Sequence, residues 1–215
     1  MVQTAVTDAI TTVAVAESRF QLQRTEDDAF FPEWHTNLPD LTDAEKTSLN
    51  ELRQRYFYHR SASNLLEGTV TLLVASPLLT IAGFYDPPFR VRTEESVQLT
   101  LDEGAEVLRG RIDVLVLQDQ FWVVVVESKT TTISAWVALP QTLAYMMANP
   151  HPEQPSYGLV TNGDDILFVK LKRDQTNLYD VSRVFAPVTS NREVYGVLQV
   201  LKRIAADIAT AERTY

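Results

Sequence analysis

The stretch VVVVESK, residues 123–129, constrains the fold more than any other part of the chain. Its four valines are apolar on both faces of a pleat, as in a strand covered from both sides. A strand of that kind needs helices above and below its sheet, which points to an α/β or α+β layer architecture. It ends abruptly in Glu127, Ser128 and Lys129, where the chain turns polar.

The flanking sequence supplies the other elements. Residues 109–117 and 121–127 read as two strands around the polar turn Gln118-Asp119-Gln120. Residues 89–92 and 97–101 are further short β-rich runs, and 157–161 and 166–171 flank the turn pair Asn162-Gly163. Leu65, Leu66, Val70, Leu73 and Val74 recur at helical spacing and predict a helix over 63–79. Residues 135–148 predict a helix with Pro140 as a local complication, and 193–212 a long amphipathic one. Ahead of these lie a short helix over 8–20, a loop over 30–40 broken by Pro32 and Pro39, and a helix ending near Arg60. Thr42 followed by Glu45 has capping-box spacing at the start of that helix. The expectation is a mixed sheet flanked by helices, with a helical arm over 1–62 packed on a core over 63–215.

Composition narrows the chemistry. The chain has no cysteine, which removes disulfides, thiolate zinc sites and cysteine nucleophiles. His35, His59 and His151 are scattered without ligand spacing. No apolar run approaches the ~20 residues of a spanning helix, and no basic start precedes an apolar run. The default is a cytoplasmic soluble protein with no membrane partner. The net charge of −9 argues against a broad basic field for nucleic acid. Much of that charge, however, sits in residues 1–50, with nine acids against three bases; residues 51–215 hold 19 acids and 16 bases. No G-x-x-x-x-G-K-[ST] loop is present, so the chain has no phosphate loop for a motor.

Asp113 lies early in the first strand of the pair, and Glu127 and Lys129 share a pleat face at the end of the second. A turn centred on Asp119 puts Asp113 opposite Val125 and diagonal to Glu127, ~7–8 Å away. A one-residue slip sends Asp113 to the other face, so a shared site requires a particular register or a bulge. Two carboxylates offer hard oxygen ligands to Mg²⁺. A neighbouring lysine can hold water or neutralise charge on a phosphate. The rival reading is that Glu127 and Lys129 only mark where a buried strand reaches water.

The ordered set Asp113, Glu127, Lys129 resembles the core of the PD-(D/E)XK superfamily, the restriction-endonuclease-like fold. Further residues agree: Gln141 opens the following helix within QTLAYMMA with Tyr145 one turn on, and Glu67 precedes the strands on a helix. GLVTNGDDILFVKL, residues 158–171, resembles the strand-turn-strand after the core in type I restriction R subunits. The chain as a whole is similar to short standalone proteins labelled restriction endonuclease subunit R. Ile112 stands where many members have proline before the acid. The resemblance implies a restriction-endonuclease-like mixed sheet and Mg²⁺- or Mn²⁺-dependent endonuclease activity on DNA, leaving a 5′-phosphate and a 3′-hydroxyl. It implies Asp113, Glu127 and the Ser128 carbonyl as metal ligands, with Glu67 holding a metal-bound water or a second ion. Lys129 would activate water, and Gln141 would orient the site or touch the phosphate. DNA is the implied partner, with a homodimer or a larger restriction-type complex as the assembly. The alternative is a non-catalytic or partner-dependent subunit of the same fold, binding nucleic acid or a protein.

Arg109 and Arg111, with Tyr145 and Asn162, are the candidate nucleic-acid contacts. Arginine suits phosphate, although cross-strand pairing of the arginines with Glu94, Glu95 or Glu106 is the competing expectation. Arg53, Arg55 and Arg60 share a helix with Tyr56, Phe57 and Tyr58, which reads as an amphipathic helix with aromatics inward rather than as a track for a nucleic-acid backbone. Phe30, Phe31 and Trp34 are expected to pack on the core. Trp136, with Tyr145 and Met146, is expected to pack a helix on the sheet rather than to form a base-stacking platform.

Overall fold

The computed structural model describes residues 2–101, 106–118 and 121–211. The chain enters as strand β1 (Val2–Ala5), helices α1 (Val6–Ala9) and α2 (Val13–Phe20), and strand β2 (Leu22–Arg24). A 3-10 turn, Pro32–Trp34, precedes α3 (Asp43–Arg60). Thr42 caps α3 as expected: its Oγ1 accepts the Glu45 N–H at 3.2 Å, and the Glu45 carboxylate accepts the Thr42 N–H at 2.7 Å. The next helix starts at Glu67, later than the expected Ser63, and runs as α4 (Glu67–Val70), a π-helical turn (Thr71–Ala75) and α5 (Ser76–Ile81). Pro77 has no N–H to give the preceding turn and its ring crowds it, which the widened π turn accommodates.

Strands β3 (Phe89–Leu101), β4 (Glu106–Gln118) and β5 (Phe121–Ser128) follow. A 3-10 turn (Ala135–Ala138) leads into α6 (Leu139–Met147), where Pro140 falls in the first turn and costs no hydrogen bond. Strands β6 (Ser156–Thr161), β7 (Ile166–Arg173) and β8 (Asn177–Val181) precede α7 (Asn191–Ala211).

All eight strands form one mixed sheet in the order β1-β4-β5-β6-β7-β8-β2, with β3 also on β4. Strand β4 is long enough to serve three neighbours. β3 runs antiparallel along one edge, while the other edge is divided between β1, at Glu106–Arg109, and β5, at Val114–Gln118. β5 and β6 are parallel and joined through α6. Residues ahead of α3 also add strands at two places, β1 on β4 and β2 on β8, both parallel.

Helices cover both faces. On one, α3, α4–α5 and α7 bury Leu49, Tyr56, Val74, Leu78, Val197 and Leu201 against Val114, Val116, Leu159 and Phe168. On the other, α1, α2 and α6 bury Val6, Ala16, Phe20 and Leu143 against Leu115, Leu117, Val160 and Leu167. β5 runs between β4 and β6 as its sequence predicts; the side chains of residues 121–126 lie outside the described residues, as do Asp119 and Gln120 of the turn.

Phe31 is buried, with Phe30 and Trp34 against the same cluster, as expected of these aromatics. Glu33 is buried beside them, accepting from the Tyr157 hydroxyl at 2.7 Å and from Lys170 Nζ at 2.5 Å. Along α3 the inward aromatic is Tyr56 alone; Phe57 and Tyr58 are exposed. The Tyr56 hydroxyl donates to Asp164 at 2.8 Å, and Arg60 bridges the same carboxylate at 3.0 Å. That anchor requires glycine at Gly163, φ 90°, where a Cβ would fall 2.6 Å from the tyrosine oxygen. Among the described residues no helix is long and apolar enough to cross a membrane.

Candidate active site

The pairing of β4 with β5 decides whether Asp113 and Glu127 meet. At the hairpin end, Gln118 pairs with Phe121 and Leu117 with Trp122. Continued unbroken, that register puts Asp113 opposite Val126 and Glu127 on the other face. It does not continue: it shifts by one residue between Val116 and Leu117, so that Val116 pairs with Val124 and Val114 with Val126. Carried one step further, that register sets Asp113 across from Glu127, and the Asp113 charge does act on the Glu127 carboxyl. Facing residues in an antiparallel pair share a face, with Cα atoms about 4.5–5.5 Å apart. The bulge therefore sets the two positions nearer in register than the expected diagonal. Glu127 pairs in turn with Val160 of β6, whose side chain belongs to the face covered by α6.

Glu127 is 2% exposed, and its carboxyl is pushed up to about 8. Burial is the largest cause, the Asp113 charge adds to it, Lys129 opposes it and Glu67 contributes a smaller push. Lys129 Nζ donates to Glu127 Oε1 at 2.8 Å and lies 3.7 Å from Glu67 Oε1. Burial works against its ammonium, but Glu127, Glu67 and Asp113 outweigh that and hold it more firmly protonated than a free lysine. The second Glu127 oxygen, Oε2, is buried and has no hydrogen-bond partner among the described residues.

Two clamps position these groups. The Leu65 N–H donates to Thr131 Oγ1 at 3.0 Å, and the Thr131 N–H donates back to the Leu65 carbonyl at 3.1 Å. Leu66 after Leu65 is extended, φ −80° and ψ 161°, and the helix starts at Glu67, whose carboxylate faces Lys129. The Lys129 N–H donates to the Thr161 carbonyl at 2.8 Å, prolonging the β5–β6 ladder by one rung.

The remaining predicted residues divide. Gln141 and Tyr145 lie on the buried face of α6, and the Gln141 amide donates to the Tyr145 hydroxyl at 2.7 Å. The same hydroxyl accepts the Arg111 N–H at 3.3 Å, tying α6 to β4 two residues before Asp113. Burial, then the nearby Glu127 charge, raises the Tyr145 phenol. Gly110 makes room for this ring, since a Cβ there would meet its Cε1 at 2.4 Å. Tyr145 is 2% exposed and Asn162 5%. Both ends of the Asn162 amide are engaged, with Nδ2 donating to the Ile133 carbonyl and Oδ1 accepting from the Asp165 N–H, each at 2.8 Å. Arg109 and Arg111 are exposed on β4, with Arg111 3.6 Å from Glu94. Arg92 pairs with Glu95 at 3.1 Å, and Glu106 pairs with Arg19. The Ser128 backbone pairs with Thr161, and its side chain lies outside the described residues.

One feature escaped the sequence reading, and one expectation is corrected. Thr131 is an ordinary residue in the run Thr130-Thr131-Thr132, and only its clamp on Leu65 gives it a role. Trp136, expected to pack a helix on the sheet, is instead 43% exposed, and Leu143, Tyr145 and Met146 are buried in that layer.

Hard oxygen donors suit a small divalent cation, and a buried carboxylate oxygen without a partner is what a cation would satisfy. Among the described residues no three histidine, cysteine, aspartate or glutamate side chains converge as a metal cluster. A cation here would thus rest on the Asp113–Glu127 pair and the Ser128 carbonyl, with water and substrate oxygens completing its shell. Magnesium accepts that sparse protein coordination.

No family model matches the chain, and no curated protein does. Among solved structures it is similar to a fragment assigned to the HsdR subunit of a type I restriction enzyme from Vibrio vulnificus YJ016. The identity is 18% and the TM-score 0.40, over 63% of this chain and 25% of that one. The chain thus matches about a quarter of that protein's length.

Proposed function

We propose that this chain hydrolyses phosphodiester bonds of DNA with Mg²⁺ or Mn²⁺, through a core over 63–215 that carries the arm 1–62. The observation that supports the reading is the buried Glu127 carboxylate, within reach of the Asp113 charge, with one oxygen on Lys129 and the other without a partner among the described residues. A strand end that merely reaches water would not bury its glutamate to 2% exposure.

In this reading Asp113, Glu127 and the Ser128 carbonyl hold the cation, and Glu67 orders a water beside it. The bound ion supplies Lewis-acid polarisation of the phosphoryl group and a water of lowered pKa. Lys129, held by Glu127, keeps a positive charge where a pentavalent phosphate would gather negative charge. The water oxygen bonds to phosphorus as the bond to the 3′ oxygen breaks, leaving a 5′-phosphate and a 3′-hydroxyl. Gln141 and Tyr145 position the end of β4 and do not touch substrate as arranged here.

The acidic balance favours a second form of the same reading. With a net charge of −9 and Arg111 and Arg92 facing glutamates, the chain brings little basic surface of its own. A basic partner would then deliver the DNA. Cleavage of single- and double-stranded DNA by the wild type and by Glu127→Gln, in Mg²⁺ and in Mn²⁺, tests the proposal. Cleavage by the wild type that the variant loses supports it; equal cleavage by both places the chemistry elsewhere.

A further inference from the structure

The ribbon formed by β3 and β4 changes face partway along, at the position of Asp113. Side chains two apart on a strand share a face. On β4, Leu108 and Ile112 pack on the side of α1 and α6, yet Val114 and Val116, at the same spacing, pack on the side of α3 and α7. On β3, Val97 and Leu99 pack with Leu108, whereas Phe89 and Val91 pack with the other cluster. Both strands therefore switch at one place. The pairing runs through it without a shift, Thr93 with Val114 and Glu95 with Ile112, so Glu94 falls opposite Asp113. Glu94 has φ 54°, in the left-handed region, and among the described residues of the two strands no other does. Few side chains accept that region, asparagine and aspartate more readily than the rest. The Glu94 carboxylate lies 3.6 Å from Arg111 with both side chains exposed, a pair too weak to hold a backbone there. Strain of this kind persists where the surrounding structure imposes it. Here the far half of the ribbon is fixed by β1 along residues 106–109 and by the Tyr145 hydroxyl on the Arg111 N–H.

We propose that Glu94 is the positioning residue for Asp113: its left-handed backbone turns the ribbon over, so that Asp113 joins the face of Glu127 and not the solvent face of Arg109 and Arg111. The inference rests on the metal-site reading above and adds the residue that assembles that site. The consequence follows from alternation. Arg109 and Arg111 are exposed, and on an unbroken strand Asp113, two residues on, would stand with them. Counted back from Leu117 and Leu115, which pack on the α6 side, Asp113 belongs to the α6 side. Glu127, paired with Val160, belongs there too. Asp113 is half-buried, and its charge acts on both Glu127 and Lys129, as that placement requires. What matters at position 94 is thus the backbone angle, and the carboxylate is incidental.

The test compares Glu94→Gly and Glu94→Asn, which accept the left-handed region, with Glu94→Val, whose branched side chain resists it. All three lack the carboxylate, so charge is the same among them. Manganese calorimetry reads the ligand set. Carbodiimide labelling of carboxylates in chelator, followed by mass spectrometry, reads the exposure of Asp113 without metal. Glu94→Gly and Glu94→Asn should bind manganese as the wild type does and label Asp113 at its rate. Glu94→Val should bind about tenfold more weakly and label Asp113 several times faster. Glu33, buried in the arm, should label slowly in every protein and so report an intact fold. If Glu94→Val does not fold, Glu94→Ala takes its place, with the same directions and a smaller effect. Equal labelling of Asp113 in the glycine and valine variants overturns the inference. So does equal affinity in variants that bind manganese; the switch would then only blunt the β3 edge against pairing. An equal loss of affinity in both variants makes the carboxylate the active part and overturns it as well. A wild type that binds no manganese while the labelling contrast holds removes the hydrolytic reading and leaves the inference standing.

Discussion

Lys129 Nζ lies 2.8 Å from Glu127 Oε1 and 3.7 Å from Glu67 Oε1, so a buried strand end carries its own internal cation. The ammonium neutralises part of the charge that Asp113, Glu127 and Glu67 would otherwise concentrate at one spot. It leaves Glu127 Oε2 buried and without a partner among the described residues.

The raised carboxyl of Glu127 makes stability depend on pH in a definite direction. Its folded value, about 8, lies above the ordinary 4.5, so between those values the folded state holds a proton that the unfolded state has released. Stability of the metal-free protein therefore falls as pH rises through that window, by up to about 1.4 kcal/mol per unit from this group. Thermal melts in chelator from pH 5 to 8.5 should show wild-type Tm declining more steeply than that of Glu127→Gln, whose amide does not titrate. Parallel profiles for the two proteins would contradict the assignment.

Removing the ammonium should separate rate from metal affinity. Lys129→Ala loses the charge set against the transition state, and a fall in kcat of about 10²–10³-fold is expected. Manganese should bind no more weakly, because a cation competing for Glu127 Oε1 has gone. Kinetics and calorimetry on the same preparation check this. A matched loss in rate and affinity would mean that Lys129 serves to assemble the site.

Thr131→Val keeps the shape of the side chain and removes the acceptor of the Leu65 N–H. A buried donor left unmatched costs about 1–3 kcal/mol. Urea unfolding should show a loss in that range, with the m-value unchanged. Because the clamp leads into Glu67, which faces Lys129, cleavage should fall as well, at temperatures where the variant is fully folded. Unchanged stability would show that the Thr131 backbone bond to Leu65 suffices on its own.

The parts of the fold carried by local pattern were legible in the sequence. Thr42 and Glu45 announced the start of α3, and the valines before Glu127 announced a strand in the middle of a sheet. The apolar stripe of α7 and the Asn162-Gly163 turn also emerged where their residues predict. What the sequence hid was long-range. The pairings of β1 with β4 and β2 with β8 join segments about a hundred or more residues apart through strands of three or four residues, too short for any periodicity to show. The bulge that shifts the β4–β5 register before Asp113 and Glu127 depends on one uneven step in a ladder of valines, where every register looks alike. The sequence reading required a register or a bulge and could not choose between them. Glu33 reads as one more acid of an acidic arm until Tyr157 and Lys170 are seen to close on it. Trp136 misled because an indole beside a helix usually packs inward; here the 3-10 turn spends its inward positions on Ala135 and Ala138.

The central claim is that Asp113 and Glu127 hold a divalent cation. Calorimetric titration of Mn²⁺ into the wild type and into the Asp113→Ala, Glu127→Ala double variant tests it most directly. The wild type should bind the ion, with affinity rising from pH 6 to pH 8.5 as Glu127, at about 8, gives up its proton. The double variant should show no binding while keeping its fold by circular dichroism. Binding of equal strength in both proteins, or none in either, would contradict the claim.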